Sequence, residues 1–288
     1  MTLVAILISL LLDRLLGQLP DWRRYRFLAS FARWVYELPR PDILHGVFGV
    51  LITLFPLLLV ITLLQAWLDE GILHVPGLIV ATTVLLYCLG PRDLDRDVDG
   101  FRTAHNSGDD ELIKIAAGHV VAGHVPESEQ ERNRAVTDAV FAEANERMFA
   151  VLFWFSVLGP VGAVLFRSAS VLRNSTGTGD WGEYHPAAAL LHDILAWVPA
   201  RLLALCFGLS GHFDGAIHAW RNMDDEEPSG FVHGGAEFLV KIGNGALDLQ
   251  PNEGVELKEV TVAMGLVWRS IVIWVVVIAL LTLAGWAA

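Results

Sequence analysis

The stretch His192–Cys206, HDILAWVPARLLALC, places Asp193 and Arg201 inside a run that is otherwise apolar enough for lipid. An ionised side chain inside a bilayer costs roughly 2.5–3.5 kcal/mol on insertion scales, so such groups usually pair or face a cavity. Their separation along a helix corresponds to about 80° of rotation, so both can point into one bundle interior. The pattern indicates a polytopic membrane protein with a polar interior. The two charged residues either bind a ligand or form a structural ion pair that fixes helix packing.

The composition excludes several classes of protein. Hydrophobic residues make up 54% of the chain, more than a soluble domain carries. The net charge of −12 comes mostly from Arg92–Arg147 and Gly211–Glu259, and it argues against a nucleic-acid binder. Cys88 and Cys206 both lie in apolar runs, so no disulfide framework is predicted. No phosphate loop of the GxxxxGK[ST] type occurs, and the histidine spacings do not favour a metal site.

Six apolar segments predict membrane helices, because about 20 apolar residues cross the hydrocarbon core. They are Met1–Pro20, Val47–Leu68, Ile72–Leu89, Phe149–Val171, Ala187–Leu209 and Leu266–Trp286. We expect Gly159-Pro160 to kink or unwind the fourth segment. The first segment has no basic start and no cleavage site, so it is interpreted as a retained helix, with an in-plane amphipathic helix as the alternative.

Lysine and arginine placement predicts the orientation. They concentrate between the first and second segments, after the third and after the fifth, whereas Asp69–Gly71 has none and Arg173 stands alone after the fourth. Large cytoplasmic loops and two periplasmic termini are therefore expected. The predicted divisions are membrane helices in 1–90 with cytoplasmic 20–46, a cytoplasmic helical segment 91–147, core membrane helices 148–210, a cytoplasmic segment 211–262 and a final membrane helix 263–288.

Apolar positions at helical spacing predict short amphipathic helices in the first cytoplasmic segment. These cover Leu94–Asn106, Asp109–Gly118 and Glu127–Glu146, with a turn at Gly123–Pro126. Three other stretches are predicted as loops because they are rich in small and polar residues. They are Arg173–Glu183, which we expect outside the membrane, Asn222–Gly230 and Gly243–Gly254.

Four strings then match a known pattern in order and spacing. LLLDRLLGQLP at Leu10–Pro20, Gly108-Asp109, LFWFSVLGPVGAVLFR at Leu152–Arg167 and DILAWVPARL at Asp193–Leu202 together resemble the CobD/CbiB family of cobalamin-biosynthesis membrane proteins. Each string alone is weak, but the set covers most of the chain. The resemblance implies an all-α polytopic membrane fold with about six transmembrane helices and two helical cytoplasmic segments.

The departures from that pattern are also informative. Ala142–Glu146 reads AEANE where the family's enzymes have Glu-Asn-x-x-Asp, and Gly123–Pro126 replaces their Gly-Arg-Asp-Thr turn. Their Ser-Pro-Asn-Ala-Gly is reduced to Pro228–Gly230. This set of departures resembles the AmpE branch of the family. That likeness implies an inner-membrane protein associated with the regulation of chromosomal β-lactamase induction and the recycling of cell-wall muropeptides.

The family's enzymes use ATP to form an amide between a corrinoid carboxylate and an amino alcohol or its phosphate. Such a ligase needs acids for Mg²⁺ and cations for phosphate. The resemblance carries five ligand-binding candidates to this chain, and it assigns no catalytic residue. We expect them to surround one cavity open to the cytoplasm, or to do no more than lock the bundle. They are Asp13, Glu146, Arg167, Asp193 and Arg201.

Two functions are therefore predicted. The first is a sensor without turnover, which binds a muropeptide or nucleotide and passes its state to a cytoplasmic partner through Arg92–Arg147. The second is a ligase of altered substrate that requires ATP and Mg²⁺. Either protein would contact membrane lipid, and neither would bind nucleic acid.

Overall fold

In a computed structural model, the chain is described over residues 2–16, 26–37, 46–69, 74–89, 94–121, 123–176, 181–226, 235–249 and 256–284. All regular structure in these ranges is helical, which confirms the all-α prediction. The α-helices are α1 Thr2–Leu16, α2 Arg26–Glu37, α3 Val47–Asp69, α4 His74–Cys88, α5 Leu94–Ser107, α6 Asp110–Val120, α7 Glu129–Ala144, α8 Ala150–Leu158, α9 Pro160–Thr176, α10 Tyr184–Ser210, α11 Phe213–Glu226, α12 Gly235–Ala246 and α13 Leu257–Leu283. A π-helix, Asn145–Phe149, joins α7 to α8.

Three of the described helices are long and apolar enough to cross a membrane. They are α3, α10 and α13, with candidate spans Val47–Leu68, Tyr184–Ser210 and Leu257–Leu283. Two shorter helices have apolar stretches, Thr2–Asp13 and Val75–Cys88. The chain is therefore a membrane protein with several apolar helices, whereas the sixfold crossing and its orientation stay predictions.

The helices fall into two compact units. The first contains Met1–Pro91, Ala150–Ala196 and Ile278–Ala288. The second contains Arg92–Phe149 and Trp197–Val277.

In the first unit, α9 packs against α2, α3 and α4, while α1 packs along α4. The start of α10 is fixed by Tyr184, whose hydroxyl donates to Thr53 Oγ1 at 2.9 Å. Trp181 and Tyr36 pack their rings beside that tyrosine. These aromatic contacts hold α2, α3 and α10 in one apolar cluster.

The predicted span Phe149–Val171 is wrong as a single helix, because the chain breaks at Gly159. That glycine has φ +66°, a left-handed conformation that side chains disfavour. Helices α8 and α9 pack against each other across the break, and a methyl group on Gly162 would overlap the Trp154 carbonyl oxygen. Neither helix reaches the about 20 residues that a membrane span needs.

In the second unit, α5, α6 and α7 form one group, and α12 packs against both α7 and α11. Asp109 caps α6 by accepting hydrogen bonds from the Glu111 and Leu112 amides. Gly243 lies against the Phe141 ring, where a methyl group would overlap it. Small residues therefore set how closely these helices approach.

Three predicted loops are partly helical. The first residues of Arg173–Glu183 continue α9 to Thr176, and Asn222 is followed by helix as far as Glu226. Gly243 belongs to α12, which ends at Ala246. Each helix is completed by packing against a distant segment, which local composition does not reveal. Residues 177–180, 227–230 and 250–254 lie outside the described ranges, as do residues 17–25 and 38–45.

Candidate functional site

The five predicted ligand-binding residues divide between the units. Asp13 on α1, Arg167 on α9 and Asp193 on α10 belong to the first unit. Glu146 in the π-helix and Arg201 on α10 belong to the second. A single cavity formed by all five stays a prediction, and each residue is described in its own unit.

Arg201 lies between two aromatic rings. Its guanidinium carbon is 3.9 Å from the centroid of the Trp197 ring and 5.1 Å from that of Phe238 on α12. Its Nη1 donates to the Trp197 carbonyl at 3.3 Å. Within the described part of this unit the guanidinium makes no ion pair. A guanidinium held by its faces directs its N–H groups outward in their plane, which suits carboxylate or phosphate.

The residues around Arg201 reinforce this arrangement. Phe238 is itself fixed by an edge-on contact with Trp220 at a centroid distance of 4.9 Å. The first residue of α12, Gly235, lies beside Ala200, the neighbour of Arg201. The amino end of a helix carries partial positive charge and unpaired N–H groups, both of which favour an anion. Both features, the cation and the start of α12 beside Ala200, are of the kind that favours an anion.

Arg167 is bound to the end of another helix. Its Nε donates at 2.6 Å to the carbonyl of Cys88, the last residue of α4. The side chain is nearly buried, and it lines a cavity of about 660 Å³ in the first unit. The described residues that line this cavity include neither Asp13 nor Asp193.

Asp193 lies beside a histidine that also meets an arginine. Its Oδ1 is 3.4 Å from His192 Nδ1, and that nitrogen is 3.1 Å from Arg173 Nη1. Because a guanidinium only donates, Nδ1 accepts when it bonds Arg173 and cannot then donate to Asp193. His192 is buried and packs on the Phe166 ring, as expected of a packing histidine.

Asp13 follows Ser9 by one helical turn on α1. The Ser9 hydroxyl donates to the Thr82 carbonyl of α4 at 3.2 Å. Residues four apart share a helix face, so Asp13 lies on the α1 face that meets α4.

Glu146 lies in the π-helix, next to two unusual residues. Asn145 is buried, and its Oδ1 has no hydrogen-bond partner among the described residues. Arg147 pairs with Asp97 at 2.7 Å and with Glu143 at 2.6 Å. Burial disfavours the charged guanidinium, but the two carboxylates outweigh it and raise the pKa of Arg147. Single π-turns and unsatisfied buried groups often mark functional positions.

Sequence reasoning missed the aromatic partners of Arg201. Trp197 lies four residues before Arg201, and this spacing places it on the same helix face. Phe238 and Trp220 come from distant segments, so no local pattern could connect them to Arg201. No group of three or more metal-ligating side chains occurs in the part of the chain that the structure describes.

Comparison with known proteins gives the family. The sequence profile described as "CobD/Cbib protein" matches residues 6–230. The chain belongs to the CobD/CbiB family. It is similar to the cobalamin biosynthesis protein CobD of Chromobacterium violaceum, with 32% identity over 86% of this chain and 80% of that protein. The protein of the same name from Stutzerimonas stutzeri is 29% identical over 96% of each chain.

A differently named relative aligns along nearly the whole length. Protein AmpE of Shigella flexneri is 28% identical over 99% of each chain. No solved structure matches this chain.

Proposed function

We propose that this protein is a bacterial inner-membrane regulator that binds an anionic ligand and modulates β-lactamase induction in step with cell-wall recycling. The observation that carries the proposal is Arg201, held between Trp197 and Phe238 beside the start of α12, with no ion pair among the described residues of its unit. A structural arginine is normally neutralised by a carboxylate, whereas a ligand-binding arginine keeps its donors available.

The ligand class follows from that geometry. Muropeptides carry carboxylates and nucleotides carry phosphates, and both anions accept paired hydrogen bonds from one guanidinium. Full-length similarity to a protein named AmpE supports the regulatory assignment. The loss of the family's Glu-Asn-x-x-Asp at Ala142–Glu146 and of its turn at Gly123–Pro126 supports a function without turnover. The other ligand candidates are Asp13, Glu146, Arg167 and Asp193.

In this proposal the bound anion stabilises one arrangement of α10 and α12, because it contacts Arg201 on one helix and the amino end of the other. A ligand can shift a conformational equilibrium only by its difference in affinity for the two states. The segment Arg92–Arg147 then presents that state to a cytoplasmic partner.

The test is thermal unfolding of the detergent-purified protein with muropeptide fragments, ATP with Mg²⁺ or corrinoid precursors. A ligand at 100 times its dissociation constant adds roughly 2.7 kcal/mol of stability. We expect stabilisation by muropeptide or nucleotide that disappears in Arg201→Ala and persists in Arg102→Ala. Arg102 is an exposed arginine paired with Asp99, which makes it a matched control. Equal stabilisation of Arg201→Ala would contradict the proposal.

A second function is favoured by the 32% identity to a protein named CobD and by the retained acids and arginines. In that case the chain is an amide ligase that requires ATP and Mg²⁺ and has changed its substrate. It predicts ATP hydrolysis coupled to amide formation, and loss of this turnover in a folded Asp193→Asn variant. Turnover by the purified protein would contradict the regulator without catalysis, whereas full biological activity of Asp193→Asn would count against the ligase.

A further inference from the structure

The first unit contains a cavity that is lined by one of the ligand candidates, Arg167. It has a volume of about 660 Å³, within the range of roughly 300–1,000 Å³ that is usual for small-molecule sites. Its walls come from α2, α3, α4 and α9, and most of the lining is aliphatic or aromatic. Phe31, Leu57, Ile61 and Val164 are typical of these walls. The lining suits a hydrocarbon chain.

The cavity lining also includes polar residues. Arg167 is the only charged side chain among the described residues that line it, and only 5% of that residue is exposed. Its Nε donates to the Cys88 carbonyl, and Thr83, Tyr87 and Ser168 line the same cavity. A buried cation beside apolar walls suits an anionic headgroup attached to a hydrocarbon chain, because hydrogen bonds to ionised groups are the strong ones.

The rim of the cavity includes a membrane-facing residue. Val60 lies within the candidate span of α3 and is 61% exposed, so its outer face contacts lipid chains. Phe27 on α2 also lines the cavity and is exposed. A molecule can therefore enter laterally from the bilayer, and the bilayer is the source of molecules that carry both an acyl chain and an anionic headgroup.

We infer that this cavity binds an anionic phospholipid of the surrounding membrane, with one acyl chain along the apolar walls and the phosphate at Arg167. Arg201 does not line this cavity, so the inference does not rest on the Arg201 environment that carries the proposed function. Arg167 is a ligand candidate in that function as well, and the lipid measurement below is separate from the Arg201→Ala test. A purely structural Arg167, which only neutralises the carboxyl end of α4, would be indifferent to the headgroup of added lipid.

The test is native mass spectrometry of the full chain in detergent, with phosphatidylglycerol and phosphatidylcholine of identical acyl chains. We expect about tenfold tighter binding of phosphatidylglycerol, which corresponds to about 1.4 kcal/mol. Arg167→Gln should remove the preference, and Arg167→Lys should retain part of it because the charge is kept. Inorganic phosphate alone should bind far more weakly, since it lacks the acyl chain.

A second pair of variants keeps the test decisive if Arg167→Gln does not fold. Val60→Phe narrows the cavity and should weaken phosphatidylglycerol binding about tenfold. Val276→Phe is the matched control, since Val276 is an exposed valine of the α13 span and does not line the cavity. Equal affinity for the two lipids, a preference that survives Arg167→Gln, or identical behaviour of Val60→Phe and Val276→Phe would overturn the inference. Each of these results would mean that the lipid is bound only as part of the surrounding layer.

Discussion

Arg167 in the first unit and Arg147 in the second are both nearly buried, yet their guanidinium groups have different partners. Arg167 donates to the Cys88 backbone carbonyl at the end of an apolar helix. Arg147 holds two carboxylates, Asp97 and Glu143, from two helices. A hydrogen bond to a carbonyl does not neutralise a guanidinium, whereas two carboxylates do. The partners of a buried cation therefore set how much stability its removal costs.

Arg201 is a third case, because no helix-terminal carbonyl of another helix and no carboxylate among the described residues of its unit pairs with it. Its faces are covered by aromatic rings instead. The comparison predicts that stability depends strongly on Arg147 and weakly on Arg201. Four experiments test this prediction and the packing of the two units.

The largest loss should follow Arg147→Met. Removing this cation leaves two carboxylates without their partner, and the Asp97 side chain is only 12% exposed. Breaking a buried pair in this way costs about 3–4 kcal/mol. The measurement is the free energy of unfolding, with Arg102→Met as control. The Arg102–Asp99 pair is exposed, so its loss should cost less than about 0.5 kcal/mol. Similar losses in both variants would show that burial of the pair is irrelevant.

Gly162→Ala should come next, because the added methyl group overlaps the Trp154 carbonyl oxygen and must push α8 and α9 apart. Overpacking of this kind costs about 2–3 kcal/mol. The thermal midpoint in detergent should fall accordingly. Gly265→Ala is the control on α13, where nothing lies within 4 Å of an added methyl group. There, the better helix propensity of alanine should hold or raise stability. A neutral Gly162→Ala would contradict the contact between the two helices.

Arg201→Gln should cost only about 1 kcal/mol, the stabilisation expected from contacts between a cation and aromatic rings. Among the carboxylates that the structure describes in its unit, none loses a partner by the change. Chemical denaturation beside Arg147→Met measures the difference directly. A loss as large as that of Arg147→Met would mean that Arg201 is structural, and it would weaken the ligand-binding proposal.

The smallest effect concerns Asp138 in the second unit. Burial raises the pKa of this carboxyl, although the Asn244 amide at 2.7 Å and Arg134 both lower it. The folded state therefore holds the proton more tightly than the unfolded state. Stability from this group is present below the unfolded pKa of about 3.9 and is lost as the pH rises towards the raised folded pKa.

Asp138→Asn cannot ionise, so its stability should not show that decline. The difference should stay below about 1.4 kcal/mol, the equivalent of one pKa unit. Thermal midpoints measured between about pH 4 and pH 6 test it, with exposed Asp99→Asn as control. If the wild-type protein gained stability relative to Asp138→Asn as the pH rises over this range, the pKa of Asp138 would be lowered by folding and not raised.

Local apolar patterns predicted much of the fold. The predicted span Val47–Leu68 corresponds to helix Val47–Asp69, and the amphipathic helix predicted at Leu94–Asn106 is found at Leu94–Ser107. Gly159-Pro160 predicted a kink or local unwinding, and the structure has two separate helices there. Hydropathy averaged over Phe149–Val171 contains no information on whether Gly162 meets Trp154. That contact depends on the backbone conformation at a single residue.

Only those residues of the candidate site that lie close together in the sequence could be predicted. Arg201 was identified because a cation in an apolar run is unusual, and Trp197 could have been found by its spacing of one helical turn. Phe238 comes from a segment more than thirty residues later, and only tertiary packing brings it to Arg201. The cavity beside Arg167 likewise needs four helices, so no single stretch of sequence encodes it.

The π-helix at Asn145–Phe149 affects how relatives should be aligned with this chain. A π-turn holds one residue more than an α-turn, so a relative one residue shorter here could close into a regular helix. Every side chain on one side of that deletion would then be rotated by about 100° relative to the other. Identical letters on either side of Glu146 need not face the same way in two members of the family. A gap placed within these five residues therefore decides which acids are equivalent.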